Sequence, residues 1–389
     1  MKIIAALKKN PMLVALVAVM LLFQVLIMAS GKGSLFAPRN ITNLIAQNGY
    51  VIILATGMLL CILTGGNIDL SVGSMVCLVA AIGGTLIVKM NVDIYLSIAI
   101  CLAAGIFLGA FQAFWIAYMR IPAFIVTLAG MLAFRGLALV LLQGRTIAPF
   151  PQAYTVYFGS FLPAGATPNL KLTVSLITGI VLCAVLLTVE SYKRISKIRK
   201  KYEVEAYTWM VSRLFIICAV IMGAFYSFGK DRGVPVVLIL LGVVVLVYYY
   251  YTAKTVPGRY LYAMGGNEKA AKLSGVNTNG MMFFAYTNMG FLAAVAALVC
   301  MARFNSSFPD LGRSYELDAI GACFIGGASA YGGVGTVGGT LVGTIFMGVL
   351  NNGMSILGID MNWQQAVKGA VLLSAVAVDV ISKKRKTAA

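Results

Sequence analysis

Twelve apolar runs, most of them near 20 residues long, constrain this chain of 389 residues. The hydrocarbon core of a membrane is about 30 Å thick, and a helix of about 20 apolar residues crosses it. Only 11% of the residues are charged, against roughly 25% in a soluble domain. The pattern predicts an all-α polytopic membrane protein with about 10–12 spans in a single domain, residues 1–389. The predicted spans are 12–29, 43–63, 71–88, 94–118, 121–142, 171–189, 209–228, 233–251, 280–301, 316–330, 335–350 and 366–382.

Basic residues fall mostly on one side of this topology. Lysines in residues 2–9 precede the first run, which is longer than the 7–15 residues of a signal-peptide core and is predicted to stay uncleaved. The positive-inside rule then places both termini and the basic loops 190–208 and 252–279 in the cytoplasm. The net charge of +18 is therefore expected to meet anionic lipid headgroups rather than nucleic acid.

The run 316–330 is short and flanked by glycine, so a re-entrant element is an alternative to a span. If it did not cross, the basic residues 383–386 would end outside the cell, and we therefore predict a crossing. Residues 65–73 and 326–333 are both glycine-broken polar turns in the two halves of the chain. Paired interruptions of this kind indicate a transport pathway near the midplane.

Asp69 is a carboxylate between two apolar runs, where a bare charge costs about 2.5–3.5 kcal/mol. Two roles are open for it. It either contacts a polyhydroxylated solute, together with Asn67 and Ser71, or caps the third span by accepting the N–H groups of Ser71 and Val72.

Three further polar residues are pathway candidates. Arg135 lies inside a predicted span, where it either snorkels to the outer surface or faces a wet cavity. Asn351 and Asn352 follow the run 335–350, and their amides suit either sugar binding or an outer loop.

The segment 255–276 is glycine-punctuated and basic, and it lies between long apolar runs. It predicts a short helix in which Asn267 caps the start, Glu268 lies in the first turn, Lys272 lies in the last turn and Gly275 ends the helix in a left-handed conformation. Such a helix suits a handle on which another protein pushes, although an ordinary solvated connector remains an alternative.

Enzymatic chemistry has little support in the sequence. The chain has no histidine and no Gly-x-x-x-x-Gly-Lys-Ser/Thr phosphate loop. All seven cysteines lie within apolar runs, where they act as small hydrophobes. We expect no catalytic residue, no metal and no cofactor bound by this chain.

Four stretches carry a family resemblance: 66–73 with its Ile-Asp-Leu-Ser, 258–275, 315–327 and 350–358. Together they resemble the membrane permease subunit of bacterial ATP-binding-cassette (ABC) importers for monosaccharides, the ribose/xylose/galactose group. The likeness extends over nearly the whole chain.

The resemblance implies a type II-like importer permease in the bacterial cytoplasmic membrane. Two copies would form the path, a secreted sugar-binding protein would deliver the solute, and ATP would be bound by a cytoplasmic ATPase subunit. That subunit would dock on a coupling loop whose site residues are Gly258, Arg259, Gly265, Gly266, Asn267, Glu268 and Gly275.

The chain departs from the short ribose-type members in two places. Three predicted spans, 171–189, 209–228 and 233–251, precede the coupling loop where those members have one, and Asn67 replaces a glycine. The inserted pair is similar to the longer xylose-like and multiple-sugar branch. The identity of the sugar stays open. The alternative function is a secondary sugar transporter driven by protons or sodium, with Asp69 as the titrating or ion-binding group.

Overall fold

The computed structural model of this protein describes residues 11–387. Its secondary structure is almost entirely helical, and 11 of its helices are long and apolar enough to cross a membrane, which confirms the predicted fold class. The helices are α1 Pro11–Ala29, α2 Pro38–Leu63, α3 Val72–Gly84 with a π-helical turn Thr85–Lys89, α4 Ile94–Ala117, α5 Ala123–Leu142, α6 Gln152–Gly159, α7 Pro168–Arg199, α8 Tyr207–Lys230, α9 Val237–Lys254, α10 Val256–Gly266, α11 Glu268–Leu273, α12 Thr278–Phe304, α13 Tyr315–Ile325, α14 Val337–Leu357 and α15 Met361–Thr387.

The core is made by α2, α3, α12 and α14. In the most apolar stretch of each of these helices, 61–83% of the residues are buried, against at most 28% in the other spans. Helices that are apolar all round yet exposed in the isolated chain are expected to face lipid. The four core helices therefore form the interior around which the others pack.

The two ends of the bundle are named here by their contents. The coupling-loop face carries residues 252–279, and the opposite face carries the bridge between Ile147 and Ser307. Helix α2 ends at the coupling-loop face, since the carbonyl O of Leu63 accepts a hydrogen bond from the N–H of Gly333 and lies against Gly265.

The chain is non-helical between α2 and α3, over residues 64–71. This segment turns back along α2, so that the N–H of Asp69 lies 3.4 Å from the Sδ of Met58. Helix α3 then begins at Val72, inside the bundle rather than at its surface. The third span is therefore broken, with an extended first part.

A second broken span, residues 305–325, runs in the opposite sense. From Ser307 to Gly312 the chain is non-helical, mostly in turns, and follows α3 backwards, with Ser307 bonded to the carbonyl O of Ala80 and Gly312 packed on Gly73. That is a descent of about 10 Å along the helix. Helix α13 follows, and the loop after it reaches the end of α2 at the coupling-loop face.

The prediction of a helical span over 316–330 is therefore wrong in form. Helix α13 has 11 residues, too few to cross 30 Å of hydrocarbon at 1.5 Å per residue. The chain passes from one face of the bundle to the other by combining the non-helical residues 305–314, α13 and the loop 326–333. The glycine-broken turns 65–73 and 326–333 do meet, but at the coupling-loop face, where Gly66 packs on the carbonyl of Ala330.

Three helices long enough to span a membrane, α7, α8 and α9, lie between α5 and the coupling loop, as predicted, and the short helix α6 precedes them. The segment 190–208 is not a loop throughout, because α7 runs on to Arg199 and only residues 200–206 before α8 are non-helical. Glu190 accepts from Lys193 and Arg213, both at 2.9 Å, which neutralises part of the basic run and lets the helix continue.

A short antiparallel ribbon joins the two ends of the α7–α8 pair. Strand β1, Phe161–Leu162, precedes α7, and strand β2, Val234–Pro235, follows α8. Phe161 pairs with Pro235 and Leu162 with Val234. Helix α7 packs chiefly on α8, and α8 in turn contacts α2.

Both ends of the described chain lie at the coupling-loop face. Met12 packs on Gly327, and the N–H of Ala330 donates to Asp379 in the last helix. The lysines of residues 2–9 and the side chains of residues 383–386 lie outside what the structure describes. Which side of the membrane this face meets stays a prediction from the positive-inside rule.

Candidate coupling and pathway sites

The predicted helix of the coupling loop is present as α11, and its end signals are confirmed. The Oδ1 of Asn267 accepts from the N–H of Ala270 at 3.0 Å, and Gly275 has a φ of +86°. Glu268 and Lys272 occupy the first and last turns. At the end of α11 Leu273 is 90% exposed, an apolar side chain that sequence reasoning did not single out.

A second helix, α10, precedes it and was not predicted. Thr255 caps α10 by accepting from the N–H of Gly258 at 3.1 Å. Gly258 and Gly265 lie in this helix because it touches other backbone: a Cβ at Gly265 would collide with the carbonyl O of Leu63 and with Gly333. The neighbouring Gly266 has nothing within 4 Å of its Cβ position. Helix α10 therefore rests directly on the end of α2.

Tyr262 adds a side-chain contact to that seat. Its hydroxyl donates to the carbonyl O of Gly335 at 3.0 Å. Burial raises the pKa of Tyr262, so the phenol stays protonated and keeps donating at neutral pH. Helix α10 is thus joined to the loop that follows α13.

Glu268 is bound within the chain. Its Oε1 lies 2.6 Å from the Nη1 of Arg120, in the turn between α4 and α5, and Arg120 also donates to Asn279 at the start of α12. Both members of the ion pair are more than one-third exposed, so the pair contributes little to stability. Arg259 and Asn267 are exposed at the same face.

A cavity of about 420 Å³ lies between the coupling helices and the loop 64–67. Asn67, Arg120, Glu268 and Tyr331 line it. Asn67 therefore lies at the coupling-loop face beside the coupling helices, not at the middle of the bundle. Helix α11 borders this cavity through Glu268, while its Ala271 packs in the core.

Asp69 and Ser71 form a buried polar centre at the start of α3. The Oδ1 of Asp69 accepts from the N–H of Ser71 at 2.8 Å and from its hydroxyl at 2.6 Å. The predicted bond from Val72 is not made. The Oγ of Ser71 also lies 3.0 Å from the Oε1 of Gln112 in α4, a residue that sequence reasoning missed. Asp69 therefore stabilises the break in the span. Of the two predicted capping bonds, the one from the N–H of Ser71 is present.

Arg135 forms hydrogen bonds with the non-helical part of the second broken span. Its Nη1 donates to the carbonyl O of Pro309 at 2.9 Å and to that of Leu311 at 2.8 Å. In lipid every backbone carbonyl needs an internal partner. The guanidinium supplies this partner at a place where the chain is not helical. Arg135 thus binds backbone, which differs from both alternatives given above, snorkelling to the outer surface and facing a wet cavity. A part in the pathway stays a prediction.

Replacing Arg135 with methionine is expected to lower the free energy of unfolding by about 1.5–3 kcal/mol, the usual worth of a hydrogen bond to a charged group. Thermal unfolding of the purified chain in mild detergent measures the change. Arg145→Gln, an exposed arginine two residues before Ile147, is the matched control. Equal unfolding temperatures for the two variants would contradict the role given to Arg135.

Asn351 and Asn352 lie inside α14, not after it, because the helix continues to Leu357 and ends at Gly358 with a φ of +71°. Gly353 admits the ring of Phe23 from α1 at this level. The Nδ2 of Asn351 lies 3.4 Å from the Oδ1 of Asn48 in α2, and Asn352 is buried. The outer-loop reading of these two asparagines is excluded.

A buried ion pair on α13 escaped sequence reasoning. Lys368 in α15 lies 2.8 Å from the Oδ1 of Asp318, and the hydroxyl of Tyr50 donates to Oδ2 at 2.6 Å. Asp318 is fully buried and Lys368 is 11% exposed. The signal available was Asp318 in an apolar run and a lone lysine in the last span, two charges that need each other in lipid.

The chain was compared with known proteins. The model of the family described as branched-chain amino acid transport system / permease component matches residues 40–167 and 167–376. The chain belongs to this permease family. No solved structure matches the chain.

Individual relatives refine this membership. The chain is 36% identical to the xylose transport system permease protein of Escherichia coli K12, over 96% of this chain and 92% of that protein. The corresponding protein of Haemophilus influenzae Rd is also 36% identical, over 96% of both chains. The ribose import permease protein of Escherichia coli K12 is 33% identical, over 92% of this chain and 91% of that protein. The resemblance to importer permeases, with its lean toward the xylose-like branch, is confirmed.

Proposed function

We propose that this permease is the transmembrane subunit of an ABC importer that moves a monosaccharide into the cytoplasm, while a partner subunit hydrolyses ATP. The observation that carries the proposal is the coupling loop. Helix α10 rests on the end of α2 and leads into α11, and these two capped helices present Arg259, Asn267 and Leu273 outward. An ATPase that displaced α10 would move α2 and the loop after α13 directly, because backbone touches backbone there.

The partners follow from this role. A cytoplasmic ATPase would dock on 258–275, a secreted sugar-binding protein would deliver solute to the opposite face, and a second copy would complete the path. Lys193 and Lys197, at the coupling-loop end of α7, would meet anionic lipid headgroups. Relatives of this chain are named for xylose and ribose, so aldopentoses are the first solutes to test.

Two broken spans of opposite direction give the importer a gating element. The non-helical parts are residues 64–71 and 305–314, and both lie against α3 or lead into it. Movement of one of these segments relative to the other broken span would open and close a path. Asp69, Asn351 and Asn352 are the pathway candidates. Discontinuous helices with this inverted arrangement are typical of transport sites.

The test is reconstitution of the chain with its ATPase in proteoliposomes that enclose ATP, with the binding protein and a labelled pentose supplied outside. Uptake that requires all three proteins and ATP is the expected result. Uptake by the chain alone, abolished by an uncoupler and by Asp69→Asn, would overturn the proposal in favour of an ion-coupled carrier.

A further inference from the structure

A cleft of about 300 Å³ opens at the opposite face, away from the coupling loop and the pathway candidates. Its floor is formed by the ends of α2 and α12, and one wall is the β1–β2 ribbon that closes the α7–α8 pair. Two arginines, Arg232 and Arg303, line it, and none of the lining residues is acidic. The cleft therefore concentrates positive charge in a partly enclosed space.

Arg232 is fixed from two sides. Its guanidinium lies 4.3 Å from the centre of the Phe161 ring and donates through Nη2 to the Oδ1 of Asn43 at 2.7 Å. Asp231 neutralises part of its charge, with Oδ2 3.2 Å from Nε. Stacking and hydrogen bonding hold the planar group in one orientation.

Arg303 is held in a matching way one helical turn along α2. Its Nη1 donates to the carbonyl O of Gln47 at 2.6 Å, and its guanidinium lies 4.4 Å from the Phe304 ring. Within residues 11–387 no carboxylate lies within the 4.0 Å ion-pair limit of Arg303. Asn43 and Gln47 are four residues apart on α2, so the two cations anchor on the same face of that helix.

The cleft suits an anion better than a sugar. Sugars stack on open aromatic faces, but Phe161 and Phe304 each carry a guanidinium in cation–π contact. Two rigid forks of N–H donors are the geometry that recognises carboxylate or phosphate. Arg303 has no carboxylate partner in the part of the chain that the structure describes, so an incoming anion would supply its counter-charge.

We propose that this cleft is the docking site for a carboxylate side chain of the secreted binding protein, an inference that rests on the proposed importer function. Arg232 lies in the turn between α8 and α9, with 47% of its side chain exposed. The wall opposite the floor is a ribbon and a turn rather than a membrane span. Both features favour an occupant that comes from water over the phosphate of a lipid.

The experiment uses the full complex with its ATPase in nanodiscs of neutral phosphatidylcholine, and it measures ATP hydrolysis as binding protein is added. For Arg232→Gln with Arg303→Lys we expect the half-saturating concentration of binding protein to rise about tenfold at low salt, with basal hydrolysis unchanged. The rise should shrink in high salt, since screening already weakens the unaltered complex. Ser160→Asp places a carboxylate in the cleft and is expected to raise the concentration similarly. Arg145→Gln, an exposed arginine near the same face, is the control.

An unchanged half-saturating concentration both in the double variant, Arg232→Gln with Arg303→Lys, and in Ser160→Asp would overturn the docking site. A shift seen only in nanodiscs that contain anionic lipid would assign the cleft to a lipid phosphate instead, which also overturns it. Failure of the unaltered chain to be stimulated by the binding protein would strike the proposed function itself, a result distinct from either.

Discussion

Replacing Lys368 with methionine is expected to destabilise the chain by about 3–5 kcal/mol, because the change leaves Asp318 buried without its counter-ion. Asp318 is fully buried and accepts from Tyr50 as well, but a phenol donates one hydrogen bond and carries no positive charge. Chemical or thermal unfolding of purified chain in detergent measures the loss. The effect is large because breaking a buried pair costs more than the pair was worth.

The matched control removes both charges. Asp318→Leu combined with Lys368→Met is expected to recover most of the lost stability, since a buried ion pair and an apolar pair of similar volume are often nearly equivalent. A double variant as unstable as the sum of the single ones would show that the two residues do not interact. A recovered double variant that no longer transports would indicate that the pair contributes to gating through α13.

Substituting Gly265 with alanine is expected to abolish coupling between ATP hydrolysis and transport. The added Cβ would meet the backbone of Leu63 and Gly333, neither of which yields as a flexible side chain does. Helix α10 would have to leave its seat on α2. Co-purification of the ATPase and ATP-dependent uptake in proteoliposomes are expected to fall by at least about tenfold, while the span helices stay folded.

Gly266→Ala is the control that the chain itself offers. It lies in the same helix, next to Gly265, with nothing within 4 Å of its Cβ position, and alanine favours a helix over glycine. We expect it to bind the ATPase as the unaltered chain does. Equal behaviour of the two variants, whether both active or both inactive, would contradict the backbone seat as the reason for the glycine.

Sequence alone predicted most of the fold because the dominant signal, long apolar runs, is local. The end signals of α11 were also local: a cap at Asn267 and a left-handed residue at Gly275 act within one or two turns. The lean toward xylose-like permeases was read from the three spans before the coupling loop, and the identities agree with it.

The remaining features depend on contacts that are distant in sequence. Glycines such as Gly265 look like helix breakers until the backbone that they touch is known. The non-helical segment 305–314 contains Pro309 and Gly312, which mark a break in the helix. Its position inside the bundle depends on the hydrogen bond from Arg135 and on the contact with α3. Helix α14 continues past Asn351, whose Nδ2 contacts the Oδ1 of Asn48 on α2, a partner that is distant in sequence.

The β1–β2 ribbon has a consequence for how permeases of this kind diverge. Because Leu162 and Val234 pair in the ribbon, the segment between them begins and ends at the same place in the structure. Helix α7 packs chiefly on α8, so the two helices would be gained or lost as a unit. A single genetic insertion or deletion bounded by the ribbon would therefore add or remove the pair while the rest of the bundle kept its course. Length differences among relatives can arise at this point without a new fold.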